Sequence, residues 1–147
     1  MGLGAAVHQN SLYVPVTTGT AITDAVSITT LGDVISSGAG GAKYVSATAK
    51  LVVGGGGTTT KVFVQTSLDG GVTFFDIMCF AFTTGTLSKV GAVSSDIVAT
   101  VTTPAAGTLS DNTVLNGVIG SQFRVQYVTT GTYTGTTTLA VYLTIKG

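Results

Sequence analysis

Apolar and polar residues alternate with a period of two along most of this chain. From Lys43 to Val53, Val45, Ala47, Ala49, Leu51 and Val53 fall on one side and Tyr44, Ser46, Thr48 and Lys50 on the other. That is the register of a strand with one face buried. Gln122 to Val128 repeats it with Phe123, Val125 and Tyr127 against Arg124 and Gln126, and Thr137 to Lys146 with Leu139, Val141, Leu143 and Ile145. Ala21 to Thr30 sets Ile22, Asp24, Val26 and Ile28 at the same spacing, and Leu31 to Ile35 continues it past a kink expected at Gly32. Lys61 to Ile77 reads as strand, Asp-Gly-Gly turn, strand. Phe74 to Phe82 is apolar on both sides except at Asp76, as in a strand covered on both faces.

Between these runs lie turn-forming segments. Ser36 to Ala42 and Pro104 to Asn112 are expected loops, Gly54 to Thr60 a loose hairpin loop, and Thr83 to Thr86 and Thr129 to Gly135 turns. Leu87 to Val93 and Ile97 to Thr102 are short strand candidates, and Leu115 to Ile119 a helical turn or the start of a strand. About eight to ten short strands with regular turns, and no βαβ alternation, predict an all-β, antiparallel β-sandwich, jelly-roll-like. Residues 1–20 are sparse in core formers. Leu12, Tyr13, Val14 and Pro15 are their one apolar piece, and Pro15 has no N–H for a ladder. Residues 1–20 are therefore expected to form an extended N-terminal arm or an edge strand, with Leu12, Tyr13, Val14 and Pro15 as the arm's contacts, and residues 21–147 a single β-sandwich domain.

Composition turns this fold reading towards function. The 147 residues carry formal net charge +0, and only 8% are charged, against roughly 25% in an ordinary soluble domain. The acids are all Asp. Nothing here attracts nucleic acid or an anionic membrane. No apolar run is long enough to span a bilayer as a helix, and the first residues lack the pattern of a signal peptide. Neutral surface on so small a domain is expected to be covered by other chains.

Candidate chemistry is thin. His8 and Cys79 are the only residues of their kinds, too few for a zinc site or a disulfide. Cys79 stands mid-strand beside Met78 and Phe80, where a buried, inert thiol is expected. The aspartates read as turn formers that bond nearby N–H groups, not as a catalytic pair. The Gly54–Gly57 run lacks the Lys-Ser/Thr ending of a phosphate loop. The reading is a non-enzyme with no catalytic residues, no metal and no cofactor.

Two resemblances add to this. Ser67, Asp69, Gly71, Thr73 and Phe74 resemble the Asp-box, Ser-x-Asp-x-Gly-x-Thr-Trp, with Phe in the place of Trp. The likeness implies a structural hairpin tied by Ser67 and Asp69, with the aromatic residue plugging the core. More broadly, Tyr44 to Phe82, Leu109-Ser110-Asp111-Asn112 and Phe123 to Gly147 look like small β-rich structural proteins of tailed bacteriophages. That likeness implies a virion component, made in the host cytoplasm, of the capsid decoration (cement) type. Its expected partners are the major capsid protein or another virion protein, and further copies of itself, with a trimer favoured. The alternative is a tail-, neck- or fibre-associated module that binds a receptor or carbohydrate through Tyr44, Tyr127, Tyr133 and Tyr142.

Overall fold

The computed structural model describes residues 11–37, 41–97 and 101–147. Within them the chain forms β1 (Ser11–Ala21), β2 (Val26–Ser36), β3 (Tyr44–Val52), β4 (Gly55–Gly56), β5 (Thr59–Ser67), β6 (Phe75–Phe82), β7 (Leu87–Ser94), β8 (Thr113–Val114), β9 (Gln122–Thr130), β10 (Tyr133–Thr134) and β11 (Thr138–Lys146). Strands run β1-β11-β3-β7 in sheet A and β2-β9-β5-β6-β8 in sheet B, all antiparallel, with β10 and β4 as a separate small ladder. Among the long strands, every connection crosses between the sheets except β5–β6, which is a hairpin. This is the winding of a jelly roll.

The period-two pattern decides what lies between the sheets. Sheet A sends in Val45, Ala47, Ala49 and Leu51 from β3 and Leu139, Val141, Leu143 and Ile145 from β11. Sheet B answers with Val62, Val64, Phe80, Phe82, Phe123, Val125 and Tyr127. Phe80 packs closely against β7 because Gly91 has no side chain; a Cβ there would stand 3.2 Å from the ring. Burying a Leu or Phe side chain contributes about 1.5–3 kcal/mol each, and with Cys79 unpaired this packing carries the fold.

Several expectations change on contact with the structure. Ser11–Ala21 takes the edge-strand form, along β11; residues 1–10, including His8, lie outside the described residues. The alternation read from Ala21 is interrupted by a corner at residues 22–25 and by register shifts in β2, which leave Ile28 44% exposed. Ile97 to Thr102 is not a strand where it is described: Ile97 is a bend, Val101 and Thr102 are irregular, and residues 98–100 lie outside the described residues. Leu115 to Ile119 is neither helix nor strand; the pairing belongs to Thr113–Val114. Part of the expected loose loop, Gly55–Gly56, pairs with Tyr133–Thr134.

Candidate binding surface

The two sheets differ in what covers their outer faces. On sheet B, β5 and β6 are buried on both sides. The inner side meets the core. The outer side lies under residues 105–112, a strap held by the Asp76 carboxylate and, further along, by a Lys61–Asp111 ion pair (2.8 Å) and by Asn112. Asp76 accepts the backbone N–H groups of Gly107 (2.9 Å), Thr108 (2.9 Å) and Leu109 (3.0 Å), while Ala105 accepts the Asp76 N–H at 2.9 Å. Gln65 Nε2 donates to Asp76 Oδ1 at 2.8 Å, and Arg124 Nε donates to Gln65 Oε1 at 2.6 Å. Arg124 in turn lies 4.3 Å over the Phe74 ring, and burial pulls its guanidinium pKa below the ordinary value. Asp76 is thus not the turn former expected of it: it sits in β6 beside a bulge and binds N–H groups about thirty positions ahead. A lone Asp within an apolar run was the available signal, because a buried carboxylate must find several donors.

The Asp-box-like hairpin ties itself in a separate place. Ser67 Oγ accepts the N–H of Gly71 (2.9 Å), and Asp69 Oδ1 accepts those of Thr73 (2.8 Å) and Val72 (3.1 Å) and the Ser67 hydroxyl (2.8 Å). These donors lower the Asp69 pKa to about 2. Phe74 is buried beneath Arg124, and its neighbour Phe75 is the one that joins the core between the sheets.

Sheet A has no such cover among the described residues. Strand register lays its outer residues in rows: Ser11, Lys146, Tyr44 and Ser94; then Tyr13, Thr144, Ser46 and Ala92; then Pro15, Tyr142, Thr48 and Val90; then Ala140, Lys50 and Ser88. The two central rows hold no charge. Tyr13 and Tyr142 stack with centroids 6.2 Å apart and planes at 10°, making a ridge over β1 and β11. Beside it, over β3 and β7, runs a hollow of about 510 Å³ floored by Ser46, Thr48, Gly91 and Ala92. A second hollow shares Ser46 and Ala92 and reaches Ile97 and Lys146. At that corner the Tyr44 hydroxyl donates to Asp96, which holds the phenol above its ordinary pKa. Of the tyrosines proposed for a glycan, Tyr127 and Tyr133 are buried in the core; Tyr44 and Tyr142 do lie on this face. Leu12, Tyr13, Val14 and Pro15 pair with Ile145, Thr144, Leu143 and Tyr142 of their own chain, with Tyr13 still 62% exposed.

The edges of the sandwich are blunted. Pro15 and two register shifts interrupt β1, features that discourage edge pairing. At the other side Lys89 points between the sheets, donating to Ala81 O (2.6 Å) and Asn112 Oδ1 (2.8 Å), and Asn112 accepts the Ala81 N–H (3.0 Å). The end of β7 is closed by Asn116 on the Ser94 N–H and by the Gly117 N–H on Ser94 O. Cys79 is buried, which pushes its thiol pKa up. No three His, Cys, Asp or Glu side chains gather among the described residues.

No family model, curated protein or solved structure matches this chain.

Proposed function

We propose that this chain is a non-enzymatic structural protein of a tailed-phage virion, of the capsid decoration kind, acting by protein–protein contact as a homo-oligomer. The observation that carries this reading is the unequal treatment of the two outer faces. Over β5 and β6 one is covered by the chain's own strap; the other is left open among the described residues, its two central rows uncharged and bordered by exposed Tyr13 and Val90. A neutral face is cheap to desolvate and suits a permanent contact. A module that binds only the assembled shell stabilises that shell by mass action. The jelly roll itself is neutral on the matter, since one fold hosts many functions.

Density-gradient fractionation of the virus particles encoded alongside the chain tests this. The chain should travel with the heads, and heads lacking it should lose their contents at lower temperature. Recovery in the soluble fraction alone would overturn the reading. Removing residues 1–10 then tests the arm, since removing Leu12 to Pro15 as well would strip β1 from β11. A second reading, a glycan-binding module, draws on the exposed Tyr13 ring beside the hollow; binding on a glycan array that Tyr13→Ala abolishes would favour it.

A further inference from the structure

The outer face of sheet A sets a ridge of two stacked rings beside a hollow. We infer that two chains pair face to face through this surface about a two-fold axis running along the strands, between β11 and β3. The inference rests on the protein-contact reading above and names the partner and the surface.

The argument begins with the rows. A two-fold along the strands keeps each row in place and exchanges its ends, so β1 faces the second copy's β7 and β11 faces its β3. Tyr13 then lies over Ala92, Tyr142 over Thr48, Thr144 over Ser46 and Pro15 over Val90. The ridge of stacked rings enters the hollow floored by small side chains, and it does so twice by symmetry. In the row above, Lys146 of each copy lies over Tyr44 of the other, whose hydroxyl holds Asp96. The rim at that end thus brings two opposite-charge pairs together; at the other end Lys50 of each copy lies over Ala140 of the other, and the two central rows between hold no charge.

Size fits as well. Four strands spaced about 4.8 Å apart, over about nine residues each, give a flat footprint of roughly 550 Å². Side-chain relief raises the accessible area towards the roughly 800 Å² per partner of a standard interface. The blunted edges of β1 and β7 leave faces, rather than edges, for association. Sheets packed face to face with aligned strands are an ordinary solution, here made between chains.

Sedimentation equilibrium on the purified full chain, up to roughly 100 µM, tests the pairing. The wild type should be a concentration-dependent dimer. Thr48→Arg, at the centre of the hollow and outside the core, should raise the dissociation constant by more than about tenfold. Lys146→Glu and Asp96→Lys should each raise it about three- to tenfold, and the double variant should return it close to wild type. Circular dichroism melts of the same samples confirm that each variant folds. A folded wild-type monomer at all concentrations, a trimer, indifference to Thr48→Arg, or a double variant no better than the singles would each overturn the pairing. A monomer that still travels with heads fails this inference alone; a dimer found only in the soluble fraction fails the decoration reading alone.

Discussion

Asp69 shows how one side chain writes a local structure. Its carboxylate gathers two backbone N–H groups and the Ser67 hydroxyl four residues or fewer away, so the tie was legible from the Ser-x-Asp-x-Gly spacing alone. The same contacts make it sensitive to acid. A carboxyl at about 2 in the folded chain, against an ordinary 3.8, contributes stability that is fully present above the ordinary value and is lost as pH falls through the folded one. Asp69→Asn should therefore lower the melting temperature at neutral pH, and the gap from wild type should close between about pH 4 and pH 2. A gap that stays constant across that range would show that the charge does not hold the turn. Asp76 is the contrasting residue. Its partners at Ala105, Gly107, Thr108 and Leu109 come from a distant loop, and no local spacing announces them.

At the scale of elements, the strap over sheet B is the part that sequence pattern conveyed least. Residues 104–112 read correctly as a loop, but a loop's destination is set by what it bonds, and here a buried carboxylate fixes its first half, with Asp111 and Asn112 holding its end. Asp76→Asn keeps the size and replaces acceptor capacity with donors, so some of the three strap N–H groups lose a partner. Each buried group left unpaired costs about 1–3 kcal/mol. The strap should open locally, and Cys79, buried opposite Phe63 and paired through β8, should react with a thiol reagent about ten times faster or more in the folded protein. Unchanged labelling would mean that the strap stays closed without Asp76. Strands β3, β5, β6, β9 and β11 were legible because one or both faces are buried and side-chain period reports burial directly. β2 was only partly so: its register shifts break the period that a sequence reader follows.

Across the whole molecule, stability should fall off from the middle of the sandwich. β5 is hydrogen-bonded on both sides and buried on both faces, whereas β1 and β2 are edge strands with most residues exposed. Amide hydrogen exchange should be slowest in β5 and β9 and fastest in β1 and the outer half of β2, with protection factors differing by about a hundredfold or more. Uniform protection would show that the two edge strands unfold only with the core. Of the candidate surface, low charge was visible in composition and implied neutral surface somewhere. Where that surface lies, and that it divides into a ridge and a hollow, follows from strand order: β1 and β7, with 65 residues between Ala21 and Leu87 in the chain, flank the β11–β3 pair on opposite sides.

The amino-acid pattern by itself determined the class of fold, the inward set of most strands and the Asp69 turn, because period-two burial and turn chemistry act between near neighbours. Tertiary structure alone decided which outer face is covered. That choice depends on where a strap and a buried carboxylate meet and on which strands become neighbours, and both are set by long-range pairing that leaves no periodic trace in the chain.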